Sequence, residues 1–568
     1  MADLVYESRM SDSDALMWTM EKDAMLRSTI TAVSVLDRAP DHDRLRTLLD
    51  RGTRVVPRLR QRVRANPLSI APPRWEVDPN FDLDYHVRFS RVTGDGSMRD
   101  VLDMAQPIAM TGFDRARPLW EATLIEGMEG GRAALVMKVH HAITDGVGSV
   151  KLALIMFELE RDPSIAALPD APDAQVMTQA SRWMDAIAHE QRRVMGIARR
   201  SGSTLAGATT RTASDTLGDP GGALSRAVET VASVGRLVSP ATEPLSPVMT
   251  GRSLSVHFDH LVVPMDAAKA AAKAAGATLN DAFVAATAGG FARYHQEMGL
   301  PTDALRMTMP ISIRNDATQD QAGNQFVPAR FPIPLDEHDP SRRMQLLHDL
   351  LLSQRGEPAL GLVEPLAGLL RRLPTSLSTG IFGSMLKGVD LITSNVPGAP
   401  IPIFTAGGRV ESMFALGPLT GAAANLTLLS YLDDLHIGVN VDPAAVTEPA
   451  RLVDALREAW DEVLAVGSPS AAPTRNGSAT ATTGRPEAEK RTAKKRTATK
   501  TRATKTRATK TRATKTGARK KAASSKTGAR KKAASSMKRT SAVRKRASPA
   551  KKPATTRKAP AKKRGARK

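Results

Sequence analysis

Two adjacent histidines precede an aspartate and a glycine in LVMKVHHAITDGVG, residues 135–148. A neutral imidazole titrates close to working pH, so His140 or His141 could remove a proton from a substrate. Asp145 could accept an imidazole N–H, pair with an arginine or cap a following helix. Gly146 permits a tight turn after a strand. Taken alone, this short pattern also fits a buried structural histidine followed by a helix cap.

Strand alternation predicts which of the two histidines enters the interior. Successive side chains of a β-strand point to opposite faces. His141 would share a face with apolar residues such as Leu135 and Met137, whereas His140 would share the other face with Lys138. Because a lysine usually points to water, we expect His141 to enter an apolar interior and act as the base. His140 would then have a supporting role.

Other chemistries are less well supported by the sequence. Neighbouring histidines on opposite strand faces cannot easily bind one metal ion, and no third ligand is placed nearby. The chain has no G-x-S-x-G segment of serine hydrolases and no Gly-Lys pair of a P-loop. It has no cysteine, which excludes thiolate nucleophiles and Cys-ligated clusters. We therefore expect no metal and no cofactor, and direct attack by a substrate hydroxyl.

Charge divides the 568-residue chain into two parts. Residues 471–568 contain 35 Lys and Arg and 2 Asp and Glu, a net charge of +33, whereas residues 1–470 contain 46 and 56, a net charge of −10. Residues 468–568 contain no aromatic residue and repeat ATKTR and KTGARKKAASS, so this tail should be disordered. It could neutralise phosphates of nucleic acid or anionic lipid without base stacking, or simply be a solvated extension.

Hydrophobic patterning before the tail predicts two globular parts joined by a crossover. We assign residues 1–165 to an N-terminal domain, 166–250 to a linker, 251–467 to a C-terminal domain and 468–568 to the tail. The segment 361–388 is apolar and could dock at an interface or pack in the core, with the core slightly favoured. We predict two helices within 265–299 and one helix within each of 41–56, 149–162, 182–199, 223–237 and 451–466. We predict strands at 132–139, 255–263 and 305–314.

The histidine segment resembles the HHxxxDG signature of CoA-dependent acyltransferases. Five further elements, in order, resemble the bacterial wax ester synthase/diacylglycerol acyltransferase family. The chain departs from the family pattern at Gly112 and Phe113, where Pro-Leu is usual, and at the inserted Ala399. Either departure could shape an acyl or acceptor pocket. The five elements are PLWE at Pro118–Glu121, Asn280–Asp281, PISIR through GN within Pro310–Phe326, SNVPG at Ser394–Gly398, and the segment Gly438–Asp442.

The resemblance implies an α/β fold of the α+β type, with two chloramphenicol-acetyltransferase-like domains, mixed sheets and a channel between them. It implies acyl transfer from acyl-CoA to diacylglycerol, giving triacylglycerol, or to a long-chain alcohol, giving a wax ester. His141 would be the general base, and Asp145 would brace the site through an arginine. Asn280 and Asp281 would either bind substrate or cap a helix, as TLND also reads as a helix start. We expect Pro118 and Trp120 to pack in the core.

Two other functions fit parts of the sequence. A carrier-protein-dependent condensation or polyketide-associated acyltransferase would use the same histidine, but no adjoining carrier-like domain is visible. A tethering protein would act through its basic tail on lipid droplets or DNA. Lipid substrates imply peripheral binding to a membrane or droplet. Because there is neither an apolar leader nor a run of ~18 apolar residues, we expect a cytoplasmic protein at the inner face of the membrane or on droplets.

Overall fold

The structure is a computed structural model. It describes residues 6–65, 71–143, 157–164, 167–193, 195, 243–312, 326–355, 367–368, 370 and 373–468. Asp145, Gly146, the predicted helix at 223–237 and the basic tail lie outside these residues.

Two six-stranded mixed sheets form the frame of the described chain. The first has the order β11-β12-β1-β6-β5-β4, in which only β4 and β5 run parallel. The second has the order β7-β14-β13-β10-β8-β9, in which β10 runs parallel to both of its neighbours. A short pair, β2-β3, lies apart. The strands are β1 Thr29–Leu36, β2 Gln61–Arg64, β3 Arg74–Val77, β4 Val87–Arg91, β5 Trp120–Glu126, β6 Ala133–His140, β7 His257–Pro264, β8 Ala304–Ser312, β9 Phe326–Pro334, β10 Leu391–Val396, β11 Phe404–Thr405, β12 Gly408–Leu416, β13 Ala424–Tyr431 and β14 Asp434–Val441.

Several helices begin at side chains that cap them. Ser11, Asp41, Ser97 and Thr278 each accept a backbone N–H from the first turn of the helix that follows, which satisfies donors that have no partner inside the helix. The helices are α1 Asp12–Met20, α2 His42–Val55, α3 Leu83–His86, α4 Met98–Met110, α5 at 179–193, α6 Met265–Ala274, α7 Leu279–Glu297, α8 Pro340–Arg355, α9 Thr375–Leu386 and α10 Pro449–Gly467.

Sheet membership does not follow chain order. β11 and β12 come late in the chain, yet β12 pairs antiparallel with β1 and extends the first sheet. β14 of the second sheet passes close to β12. At the point of closest approach, a Cβ on Gly438 would overlap the carbonyl oxygen of Ala415. The two sheets therefore meet where β12 and β14 approach each other.

The largest apolar core lies between the second sheet and helices α6, α7, α8 and α10. α7 is buried almost all round, from Asp281 through Phe291. A helix with this burial belongs inside a protein rather than at its surface. The first sheet has its own apolar clusters, in which Trp120 and Leu119 of the PLWE element are fully buried. This confirms that Trp120 packs in the core.

The predicted helices and strands that fall on described residues agree with the structure, with one exception. The final part of the predicted helix at 149–162 is wrong, since residues 157–162 are not helical. Glu158 instead exchanges backbone hydrogen bonds of 2.7 and 2.8 Å with Phe404, which places it beside β11.

The apolar segment 361–388 is only partly buried where it is described. Its helix α9 packs Leu386 against a small cluster that contains Leu16 and Leu26, whereas Leu377 is half exposed. Across the described residues, no helix has the length and apolarity needed to cross a membrane.

Candidate active site

The histidines lie at the end of β6, an inner strand of the first sheet. His140 is the last residue of β6 and pairs with Thr29 of β1. Its N–H donates to the carbonyl of Leu119 (3.0 Å), and the N–H of His141 donates to the carbonyl of Ser28 (2.8 Å). His141 then begins a 3₁₀ turn, His141–Ile143. Both histidines are therefore held through their backbones by neighbouring segments of the sheet.

The structure corrects the predicted facing of the strand. Lys138 and His140 are 0% exposed, whereas Met137 and Val139 are partly exposed. The prediction that the Lys138 face points to water is wrong, because other segments cover this face of β6. His141 follows the end of the strand and is half-buried. Strand alternation therefore does not determine which way the His141 side chain points.

Lys138 is buried beside groups that offset its charge. Its Nζ lies 3.6 Å from a carboxylate oxygen of Glu121 and 4.4 Å from the ring centre of Phe113. Burial lowers the pKa of Lys138, and the Glu121 carboxylate opposes that shift. Glu121 also binds Arg88 at 2.6 Å. Phe113 is one of the two departures from the family pattern, and it covers the face that carries Lys138 and His140.

The ring of His140 is contacted on both nitrogens. Nδ1 accepts the N–H of Ala142 at 3.0 Å, so Nε2 carries the ring proton. Nε2 lies 3.0 Å from Oε1 of Glu21, although the contact is bent away from a linear hydrogen bond. The Trp18 ring and the imidazole pack in a T-shaped arrangement, with ring centres 5.5 Å apart. The ring of His140 therefore lies between the turn and Glu21, and its supporting role in catalysis stays a prediction.

Glu21 was not identified from the sequence. It follows α1 and is separated from His140 by more than a hundred residues, so no local pattern connects them. Burial alone would raise the pKa of Glu21. The contact with His140, the hydrogen bond from Ser28 N (2.7 Å) and the nearby Arg115 outweigh burial, so the pKa is lowered. The site thus contains a partly buried carboxylate whose pKa lies below the ordinary value.

The Asn-Asp element takes part in helix capping. Thr278 is the N-cap of α7, and the carboxylate of Asp281 accepts from Thr278 N (2.7 Å) and Oγ1 (2.8 Å). The same carboxylate accepts from Nδ1 of His348 at 2.7 Å. This confirms the capping alternative for Asp281, and a direct contact of Asp281 with substrate stays a prediction.

Asn280 meets another element of the resemblance. Its side-chain oxygen accepts from Nδ2 of Asn395 at 3.3 Å, and Asn395 belongs to the SNVPG element at the end of β10. Two elements far apart in sequence therefore come into contact. Within the described ranges, no group of three His, Asp or Glu side chains is arranged to bind a metal.

Comparison with solved structures defines the fold class. The chain superposes on the wax ester synthase/diacylglycerol acyltransferase of Marinobacter aquaeolei VT8 with a TM-score of 0.53 and 22% identity, covering 81% of this chain and all of the other. It also superposes on the first condensation domain of the calcium-dependent antibiotic synthetase, with a TM-score of 0.51 and 16% identity, over 81% and 96% of the two chains. The protein has the fold that these two structures share, as predicted.

Sequence comparison defines the family. The model of the wax ester synthase/diacylglycerol acyltransferase catalytic domain matches residues 10–283, and that of the C-terminal domain of the same family matches residues 322–463. A Mycobacterium tuberculosis relative that bears the name of a diacylglycerol O-acyltransferase is 36% identical over 83% of this chain and 95% of its own length. A second relative from the same organism, similarly named, is 29% identical over 82% and 98%. The chain belongs to the wax ester synthase/diacylglycerol acyltransferase family and is an acyltransferase.

Proposed function

We propose that this enzyme transfers a long-chain acyl group from acyl-CoA to the hydroxyl of diacylglycerol or of a long-chain alcohol, with His141 as general base. One observation carries the assignment of the base. His140 is fully buried and its Nδ1 is engaged by the N–H of Ala142, whereas His141 is half-buried at the start of the turn. Of the two, His141 is the imidazole that a substrate can reach. The names of the relatives support both kinds of acceptor.

The reaction needs one base and two aligned substrates. A ring nitrogen of His141 removes the acceptor proton as the hydroxyl oxygen attacks the thioester carbonyl. The tetrahedral intermediate then collapses, the C–S bond breaks, and the imidazolium returns the proton to the departing CoA thiolate. General-base assistance of this kind contributes about 10²- to 10⁴-fold. Alignment of both substrates contributes further, because it removes the cost of bringing them together. No cofactor enters this scheme.

The direct test is a turnover assay with labelled palmitoyl-CoA and either diolein or hexadecanol. The intact protein should form triacylglycerol or wax ester, and His141→Ala should reduce kcat by about 10²- to 10⁴-fold. His42→Ala is the matched control, since His42 is a partly exposed histidine that contacts Glu126 at 3.0 Å. Absence of CoA-dependent neutral lipid would refute the function. Full activity of His141→Ala would refute the base.

The charge of residues 471–568 supports a second role, binding to a phosphate-rich surface. A segment of net charge +33 attached to a body of net charge −10 concentrates the cations at one end of the chain. Such a segment attracts anionic headgroups within about a Debye length, and it offers no aromatic ring for base stacking. We propose that it holds the enzyme at an anionic lipid surface, which would bring the active site close to its lipid substrates.

Deletion of residues 471–568 separates catalysis from surface binding. The shortened protein should keep its turnover on detergent-dispersed substrate and lose sedimentation with phosphatidylglycerol vesicles. Binding of the full chain should weaken steeply with salt. Neutral phosphatidylcholine vesicles are the control, and duplex DNA tests whether the target is lipid. Equal vesicle binding by the full and shortened proteins would rule out this role of the tail.

A further inference from the structure

A single carboxylate is connected to both histidines of the active site. Oε1 of Glu21 lies 3.0 Å from Nε2 of His140 and also accepts the N–H of Ser28 at 2.7 Å. The carbonyl of Ser28 in turn accepts the N–H of His141 at 2.8 Å. Glu21 therefore reaches His140 through the His140 ring, and it reaches His141 through the backbone N–H and C=O of one residue, Ser28.

The ring of His140 continues this connection into the turn. Nδ1 accepts the N–H of Ala142, the residue that follows His141. The backbone of His141 is thus fixed on one side by Ser28 and on the other by the His140 ring. Glu21 contacts both Ser28 and the His140 ring, so it supports the backbone of His141 from both sides.

The carboxylate is itself held in place and kept charged. Nη2 of Arg115 lies 3.6 Å from Oε2 of Glu21 and donates to the carbonyl of Trp18 at 3.1 Å. The guanidinium also stacks over the Trp18 ring, 4.0 Å from its centre. Trp18 in turn packs against the His140 ring in a T-shaped contact. Arg115 lies just before the PLWE element, so this element is linked to the histidines through Glu21.

We propose that Glu21 is a positioning residue for acyl transfer, which acts on the base His141 through His140 and Ser28. This inference rests on the proposed function of His141. A general base must lie within hydrogen-bond reach of the proton that it removes, and a misplacement of about 1 Å costs up to about 100-fold in rate. The length of the Glu21 side chain is the critical property, because one oxygen has to reach both Ser28 N and the His140 ring.

Three variants separate position from charge. Glu21→Gln keeps the length and an acceptor oxygen, so its kcat should stay within about threefold of the parent. Glu21→Asp keeps the charge but is one methylene shorter, and Glu21→Ala removes both contacts. These two should lower kcat by about 10- to 100-fold with an unchanged KM for palmitoyl-CoA. Glu126→Gln is the control, because Glu126 contacts His42 at the same 3.0 Å distance.

The readouts distinguish positioning from mere stabilisation of the fold. Rates are measured per folded molecule, below the lowest Tm of the series. Glu21→Asp decides the question if Glu21→Ala does not fold. Parental kcat in Glu21→Asp, or a loss confined to Tm or KM, would overturn the proposal.

A double variant tests the route through His140. If Glu21 acts through that ring, Glu21→Ala combined with His140→Ala should lose less than the product of the two single losses. Losses that multiply fully would overturn this route. The proposed function fails separately, if His141→Ala retains parental turnover. If His141→Ala is inactive and every Glu21 variant is normal, only the positioning role fails.

Discussion

At the residue scale, burial and pairing beside the histidines decide how each charge behaves. Lys138 is fully buried, and its Nζ is 3.6 Å from Glu121 without a hydrogen bond in the described structure. Glu121 is also buried but has a second cation, Arg88, at 2.6 Å. The carboxylate is therefore the more important member of this group, since it neutralises two cations.

This asymmetry predicts different costs for two substitutions. Lys138→Met leaves Glu121 paired with Arg88, so the free energy of unfolding should change by no more than about 1 kcal/mol. Glu121→Gln leaves Lys138 buried beside no anion and should cost about 3 kcal/mol. Urea unfolding with matched m-values measures both changes. A Lys138→Met loss as large as that of Glu121→Gln would contradict the pairing described here.

At the element scale, glycines in two of the elements that resemble the wax ester synthase/diacylglycerol acyltransferase family let neighbouring backbones approach closely. Gly438 lies on β14, where a Cβ would overlap the carbonyl oxygen of Ala415 on β12. Gly398, in the SNVPG element, would similarly overlap the carbonyl oxygen of Ser430 on β13. These two elements therefore contribute to the fold through close packing.

Gly438→Ala should consequently destabilise the contact between the two sheets. We expect a loss of about 1–3 kcal/mol in the free energy of unfolding, as for other overpacked interiors. Gly380→Ala is the matched control, because Gly380 lies inside α9 and a Cβ added there would meet no atom within 4 Å. That helical substitution should stabilise by about 0.5–1 kcal/mol. Thermal and urea unfolding measure both variants. If Gly438→Ala and Gly380→Ala changed the stability equally, the predicted clash would be contradicted.

At the scale of the whole molecule, buried histidines make stability depend on pH. Burial lowers the pKa of His86, His295 and His436, in each case as the largest cause. These rings stay neutral in the folded protein, while the same residues in the unfolded chain take up protons near their ordinary pKa of 6.5. Acid therefore favours the unfolded state.

The sign of this linkage gives a defined pH window. Stability from these histidines is fully present above pH 6.5 and is lost as the pH falls below that value, before carboxylates of ordinary pKa protonate. Urea midpoints measured from pH 8 to about pH 5 should fall. His86→Phe should reduce the slope, whatever its absolute stability. A flat profile in the parent protein would show that these rings are not held neutral.

Much of the local structure was predictable because its causes lie close together in sequence. Apolar spacing and capping residues predicted α2, α6, α7 and α10, and alternation predicted β6, β7 and β8. The TLND segment fits a helix start as well as a substrate contact, and Thr278 and Asp281 form a cap at the start of α7. These features depend on neighbours within a few residues, so a single sequence carries the information.

The sequence by itself determined the histidine pair, the order of the family-like elements and the separation of a basic tail from an acidic body. Only the tertiary structure decided that the Lys138 and His140 face of β6 is buried, that Glu21 lies against His140, and that β12 joins the first sheet. Alternation divides a strand into two faces, but the segments that cover each face come from distant parts of the chain. Their arrangement is fixed by packing, and no local pattern records it.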